Sequence, residues 1–292
     1  MSGETAHRYL RPEDIRRLDS YEFAPKLVVE GYLSGRHRSR ARGSSTEFRD
    51  YRPYAPGDDP ALVDWRVFAR TERHYIRTFE QETDMECTLF LDGSASMGFG
   101  GPTTKLDYAS FLTAALAYLV VRMGDRVGLR IFDRTVRDHV PPGGTRRHLN
   151  HVLNKLENNK PGAETSLAEA LRHALPTVTR RGVLIILSDF LDDAQDIFAA
   201  LSPYLHRGFQ ILLLQIADVQ EIDLPRSGLL TFEDMETGQR TVAHTESIRA
   251  AYKAQVREHE RVLRELASRR RVEFHALRTD TPIHHVLDLI LR

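Results

Sequence analysis

The segment Leu91-Asp92-Gly93-Ser94-Ala95-Ser96-Met97-Gly98 places one carboxylate and two hydroxyls at alternate positions. Farther along, Thr165 stands in Gly162-Ala163-Glu164-Thr165-Ser166, and Asp189 closes Ser188-Asp189. Every candidate donor in this set is an oxygen, which suits a hard cation. Mg²⁺ or Mn²⁺ fits best, because such ions take octahedral oxygen sites, keep several waters and need few direct carboxylates. Neutral hydroxyls bound directly, with carboxylates acting through water, leave the ion short of negative charge. It then wants one more anionic ligand, and a carboxylate from another protein can supply it.

Rival chemistries fit less well. A nucleophile elbow needs Gly-x-Ser-x-Gly, but Ser94-Ala95-Ser96-Met97-Gly98 lacks the first glycine. A serine hydrolase built on Ser96 would need a relay such as Asp189 and His275, and nothing singles out His275. An Asp-x-Asp phosphatase motif is broken by Ser94. Gly98-Phe99-Gly100-Gly101-Pro102-Thr103-Thr104-Lys105 does not make a phosphate-binding Walker loop. The reading is therefore a binding protein rather than an enzyme.

These residues need elements to carry them. From residue 85 onward the pattern is regular. Short apolar runs at Cys87–Leu91, Val127–Phe132, Val183–Leu187, Ile211–Ile216 and Val272–Leu277 read as strands. Between and after them, helices are expected at 107–122, 146–156, 166–175, 193–205 and 283–291. The 166–175 helix carries a Ser166/Glu169 capping box. A hairpin is expected over 229–242, turning at 236–238, followed by a long amphipathic helix with Ile248, Tyr252, Val256, Leu263 and Leu266 on one stripe. Strands alternating with helices mean an α/β fold with a doubly wound, mostly parallel sheet. In such sheets ligands sit beyond the carboxyl ends of strands, which is where Asp92 and Asp189 fall. The loops 92–104, 133–145, 161–166 and 189–193 are the places to search.

Residues 1–83 differ in character. Helices are expected at 12–18 and 24–33 and a strand at 74–79, with turns at Pro53, Pro56, Gly57 and Pro60. Arg36, Arg38, Arg40 and Arg42 alternate with small or polar residues as in an exposed loop or edge strand. They could grip nucleic-acid phosphates, with Arg49 and Arg52 extending the set. The plainer reading pairs them with Glu47, Asp50, Asp58 and Asp59. Asp58, Asp59, Asp64 and Trp65 are expected to lock this arginine-rich segment, 1–83, onto a main domain at 84–292.

Composition narrows the partners. The 292 residues hold 41 Lys plus Arg and 41 Asp plus Glu, so no net basic field draws in DNA or an anionic membrane. The single cysteine, Cys87, excludes a disulfide framework or a multi-thiolate zinc site. The longest largely apolar run, Phe111–Val121, is too short for a membrane span, which needs roughly 20 residues. The first residues, MSGETAHRYLRPED, are charged where a signal peptide is apolar. A cytoplasmic protein is expected.

Asp-x-Ser-x-Ser followed by a distant Thr and a distant Asp resembles the metal-ion-dependent adhesion site of von Willebrand factor A domains. That resemblance implies a metal held by Asp92, Ser94, Ser96, Thr165 and Asp189, the hydroxyls binding directly or nearly so. The Thr loop departs from the more usual Gly-Gly-x-Thr, which leaves Ser166 as a competitor of Thr165. Ahead of it, in order, stand Ser39-Arg40-Ala41-Arg42-Gly43, Glu47-Phe48-Arg49-Asp50-Tyr51-Arg52, Pro56-Gly57-Asp58-Asp59, Val63-Asp64-Trp65-Arg66 and Ala69-Arg70-Thr71. This string is similar to the bacterial family called domain of unknown function 58, over roughly residues 25–292. Many members carry two transmembrane helices ahead of this region. The resemblance implies a metal-dependent adaptor acting with a MoxR-type AAA+ ATPase, or its client, in protein maturation or remodelling.

Overall fold

Strands that are apolar on both faces need cover on both faces, and this chain supplies it with helices. A computed structural model describes residues 7–21, 46–54, 63–81, 85–162, 164–224, 228–236 and 238–291. The chain divides into two compact units: residues 1–33 join 85–292, and residues 34–84 form the smaller unit. The expected helix at 24–33 lies outside the described residues. Helix α1 (Pro12–Leu18) belongs to the larger unit.

In the smaller unit, β1 (Thr46–Pro53) pairs antiparallel with β2 (Tyr75–Gln81). Between them, α2 (Trp65–Thr71) starts at Asp64, whose carboxylate accepts from the amides of Arg66 and Val67. That N-cap satisfies two of the amides a helix start leaves open. Only β2 of these three elements was expected. The short α2 has no long apolar stripe to announce it.

The larger unit is built on six strands. In chain order come β3 (Glu86–Asp92), α3 (Lys105–Arg122), β4 (Arg126–Phe132), β5 (Val136–Gly143), α4 (Arg146–Asn158) and α5 (Leu167–Ala174). Then follow β6 (Val183–Ser188), α6 (Ala194–His206), β7 (Gln210–Ala217) and a single turn, α7 (Val219–Ile222). A hairpin, β8 (Leu229–Glu233) and β9 (Arg240–His244), precedes α8 (Thr245–Arg269), β10 (Glu273–Arg278) and α9 (Ile283–Leu291). The sheet order is β10-β7-β6-β3-β4-β5. All neighbours are parallel except β5, which runs antiparallel to β4. The stretch 133–145, expected as a loop, therefore holds an edge strand. Its Pro141 and Pro142 are tolerated because an edge strand leaves one row of amides unpaired.

Alternation along each strand splits the core into two layers. Cys87, Leu89 and Leu91 of β3, with Ile185 and Leu187 of β6, pack with α3, α4 and α9. Phe90 and Ile186 point to the other face and meet α5, α6 and α8. Helix α3 is buried nearly all round. Among the described residues, no helix is long and apolar enough to cross a membrane.

Candidate metal centre

The chain leaves β3 for β4 on one side, then returns to β6 on the other. The strand order reverses at β3, so the loops after β3 and β6 open beside one another, as at any topological switch point. Asp92 ends β3 and Asp189 follows β6. Both are buried, as are Ser94 and Ser96.

The Asp92 carboxylate gathers the site. Its Oδ1 accepts from the Ser94 amide at 2.9 Å. Its Oδ2 accepts from Ser188 Oγ at 2.5 Å and from Thr165 Oγ1 at 3.4 Å. The hydroxyls of Ser94 and Ser96 lie 3.0 Å apart. A short 3₁₀ turn, Ser96–Gly98, follows and returns the chain toward α3. Four of the five expected site residues are thus joined in one hydrogen-bonded cluster through Asp92 and Ser94. Burial, and after it the charge of Asp189, pushes the Asp92 carboxyl up to about 7.

Asp189 is tied down from the other side. Lys105, at the first turn of α3 and fully buried, donates from Nζ to Asp189 Oδ2 at 2.9 Å and to Glu221 Oε1 at 2.6 Å. Burial pulls the Lys105 ammonium down, but the two carboxylates outweigh it and hold it above its ordinary range. Asp189 Oδ1 is buried with no hydrogen-bond partner. An uncompensated carboxylate oxygen in the interior is costly. The orphan oxygen of Asp189, the paired hydroxyls of Ser94 and Ser96 and the Asp92 carboxyl are all oxygen donors, the kind a hard divalent cation takes. The ion would be held by Asp92, Ser94, Ser96, Thr165 and Asp189. Among the described residues, no group of three or more His, Cys, Asp or Glu gathers in a metal-holding cluster.

Sequence reasoning missed four residues here. Lys105 carried a signal: a cation in the first turn of a helix opposes the macrodipole and needs another reason to be there. Ser188 holds Asp92 rather than only ending a strand. Asp192 accepts from the Leu167 amide at 2.7 Å and so caps α5 from the loop after β6. Ser166 consequently makes no side-chain cap bond, and the expected Ser166/Glu169 box does not form. The α6 cap is Asp193, accepting from the Asp196 amide. The fourth is Glu236 at the turn of the β8–β9 hairpin, whose Oε1 accepts from the Thr165 amide at 3.3 Å. Burial, then the nearby Asp189 and Asp192, raise the Glu236 carboxyl against the opposing Thr165 bond.

The remaining sequence candidates lie elsewhere or outside the described residues. Arg40, Arg42, Asp58 and Asp59 lie outside them. Arg49 and Arg52 are positions of β1. Asp64 caps α2, Arg70 is exposed in its last turn, and Trp65 is exposed with its ring edge-on to Phe68 and His74. The imagined relay of Ser96, Asp189 and His275 is not assembled. His275 Nε2 pairs with Glu273 Oε1 at 2.7 Å on β10, and Asp189 is held by Lys105.

Comparison with known proteins agrees with this architecture. The family described as "Protein of unknown function DUF58" matches residues 50–262. An uncharacterised protein of Mycobacterium tuberculosis is 29% identical over 231 residues, 78% of this chain and 72% of that protein. The crystal structure of an aerotolerance-related membrane protein from Bacteroides fragilis superposes with a TM-score of 0.50 at 18% identity. It covers 70% of this chain and 96% of that one. BatB from Bacteroides thetaiotaomicron, at 17% identity and a TM-score of 0.43, covers 70% and 95%. The sheet is of the von Willebrand factor A type.

Proposed function

This chain belongs to the DUF58 family, and from that premise we propose that it is a non-catalytic, divalent-cation-dependent protein-binding module. It works as an adaptor with a MoxR-type AAA+ ATPase, or the client of one, in protein maturation or remodelling in the cytoplasm. The observation that carries the reading is the buried, unpartnered Oδ1 of Asp189 at the end of β6, taken with the buried, paired hydroxyls of Ser94 and Ser96 at the end of the adjacent β3.

Each residue has a task in that reading. Ser94, Ser96 and Thr165 offer neutral oxygens, and Asp92 and Asp189 hold the waters around them. Asp92 is fixed by Ser188 and the Ser94 amide, so its carboxylate cannot swing away. Lys105 offsets part of the charge of Asp189 and Glu221. The protein ligands therefore bring little net negative charge. A bound Mg²⁺ or Mn²⁺ supplies Lewis acidity toward an acidic side chain of the partner. Retention of a MoxR-type ATPase on the immobilised chain should require MgCl₂, disappear in EDTA and be lost on Asp92→Ala plus Ser94→Ala. Retention unchanged by EDTA or by that double variant would sink the metal bridge.

A further inference from the structure

Among the described residues, β8 pairs with β9 alone, so each strand of this hairpin keeps one open edge. In an antiparallel pair, alternate residues turn their backbone groups toward the partner strand and the rest turn theirs away. The ladder is pinned at both ends of β8. The Thr245 amide donates to the Gly228 carbonyl at 3.0 Å, and the Asp234 amide donates to the Gln239 carbonyl at 2.9 Å. In that register Leu230 and Phe232 face β9, while the amides and carbonyls of Thr231 and Glu233 face the open edge. Among the described residues, none of those edge groups has a hydrogen-bond partner.

That edge borders a groove of about 1050 Å³. The unbroken run Leu230 to Asp234 lines it, and no residue of β9 does. A strand presenting one face would contribute alternate residues, so the unbroken run means that the groove follows the edge of β8. Leu191 and Met235 add exposed apolar surface. The acids of the lining are Asp192, Glu221, Asp223, Glu233, Asp234 and Glu236, and the lining holds no Lys or Arg. Three of them draw cations from outside it: Lys105 binds Glu221, Arg249 and Lys253 bind Asp223, and Arg240 binds Glu233. Asp192 and Glu236 pair with no Lys or Arg among the described residues; they accept from the Leu167 and Thr165 amides.

We propose that this edge takes an extended segment of a partner protein, added as a third strand beside β8, whose side chains alternate between apolar and basic. An open strand edge is a template for pairing with another chain. Backbone bonds to Thr231 and Glu233 set the register of the added strand. Its apolar side chains cover Leu191, Phe232 and Met235, and its Lys or Arg side chains supply the cations that Asp192 and Glu236 lack. A second copy of this chain fits less well, because β8 against β8 would bring two acid-lined grooves together. The surface goes beyond the metal bridge and does not depend on it. Ser96 and Thr165 line the same groove, so a partner that reaches the centre lies beside this edge.

The test uses the full chain in EDTA at low salt, with fluorescence anisotropy of a labelled heptapeptide, Lys-Val-Lys-Val-Lys-Val-Lys. Two further peptides keep its charge but are N-methylated, one at every valine and the other at the inner lysines. Each therefore loses the amides along one edge. Thr231→Pro removes an amide from the groove edge and leaves the β8–β9 ladder in place. Val242→Pro makes the same change on the outer edge of β9 and is the control. The parent peptide should bind, and Thr231→Pro should weaken it at least about tenfold while Val242→Pro stays close to wild type. One methylated peptide should weaken to the same extent and the other should match the parent, the mark of a strand paired along a single edge. A Glu-Val-Glu-Val-Glu-Val-Glu peptide should not bind. Equal affinity of all three basic peptides for the wild type would overturn the added strand and leave charge attraction alone, whether or not Thr231→Pro folds. Binding of the acidic peptide as tightly as the basic one would overturn the partner's chemistry, and no binding of the parent would overturn the surface. A wild-type dimer that Thr231→Pro dissolves would give the edge to a second copy instead. Each of these failures leaves the metal-dependent reading standing, because no cation is present in the assay.

Discussion

Replacing Asp92 by Asn should make the metal-free protein more stable at neutral pH and abolish its response to Mg²⁺. The Asp92 carboxyl is fully buried and pushed from 3.8 to about 7, first by burial and then by Asp189. The unfolded chain releases this proton near pH 4, whereas the native protein keeps it until about pH 7. Between those values the native state binds more protons, so stability is fully present below the lower value and falls as pH rises through the upper one. Asp189 is the charged group that faces Asp92, and Lys105 and Glu221 reach it only through Asp189. A shift of about 3 units at 1.36 kcal/mol each gives a loss on the order of 4 kcal/mol between pH 4 and pH 8. Asn keeps an acceptor for the Ser94 amide and can donate to Ser188 Oγ, but has no charge to desolvate. Urea denaturation in EDTA from pH 5 to pH 8 should show a falling wild-type curve and a nearly flat Asp92→Asn curve, the variant being the more stable at pH 8. With MgCl₂ at about 100 times its dissociation constant, the wild type should gain roughly 2.7 kcal/mol and the variant little. A flat wild-type curve, or a variant less stable than wild type at pH 8 without metal, would refute the reasoning.

Three further outcomes follow from named contacts. Lys105→Met leaves the buried Asp189 and the half-buried Glu221 without their cation and should cost about 3–5 kcal/mol in urea denaturation without metal, part of it recovered by MgCl₂. Tyr204→Phe removes the buried hydroxyl that donates to the Leu171 carbonyl at 2.7 Å, and thermal melts should show a loss of about 1–2 kcal/mol. The Cys87 thiol is fully buried in β3 and raised far above its ordinary range by burial and then by Asp125, so a thiol reagent should label it only at the rate of unfolding.

The residues differ in how openly the sequence announces them. The strands of the main sheet were legible because burial on both faces demands unbroken apolar runs, as in Val183–Leu187. Asp92, Ser94 and Ser96 were legible because alternate spacing at a strand end is a local property. Edge strand β5 was hidden, since Val140-Pro141-Pro142-Gly143 reads as a turn until an edge position excuses the prolines. The α5 cap was hidden for a different reason. Ser166 and Glu169 satisfy the local rule, but Asp192, brought in by the β6–α6 loop, reaches the Leu167 amide instead. Glu236 lies beyond local rules as well, and Lys105 shows locally only that a cation in a first helical turn needs a partner, since the partners of both come from distant segments of the chain.

The central claim is that a divalent cation is held at the carboxyl ends of β3 and β6. Anomalous diffraction from crystals grown with MnCl₂ tests it most directly. The account predicts one strong peak among Ser94 Oγ, Ser96 Oγ and the Asp189 carboxylate, absent from crystals of Asp92→Ala plus Ser94→Ala. A peak only elsewhere on the molecule, or one that persists at this place in the double variant, would contradict it.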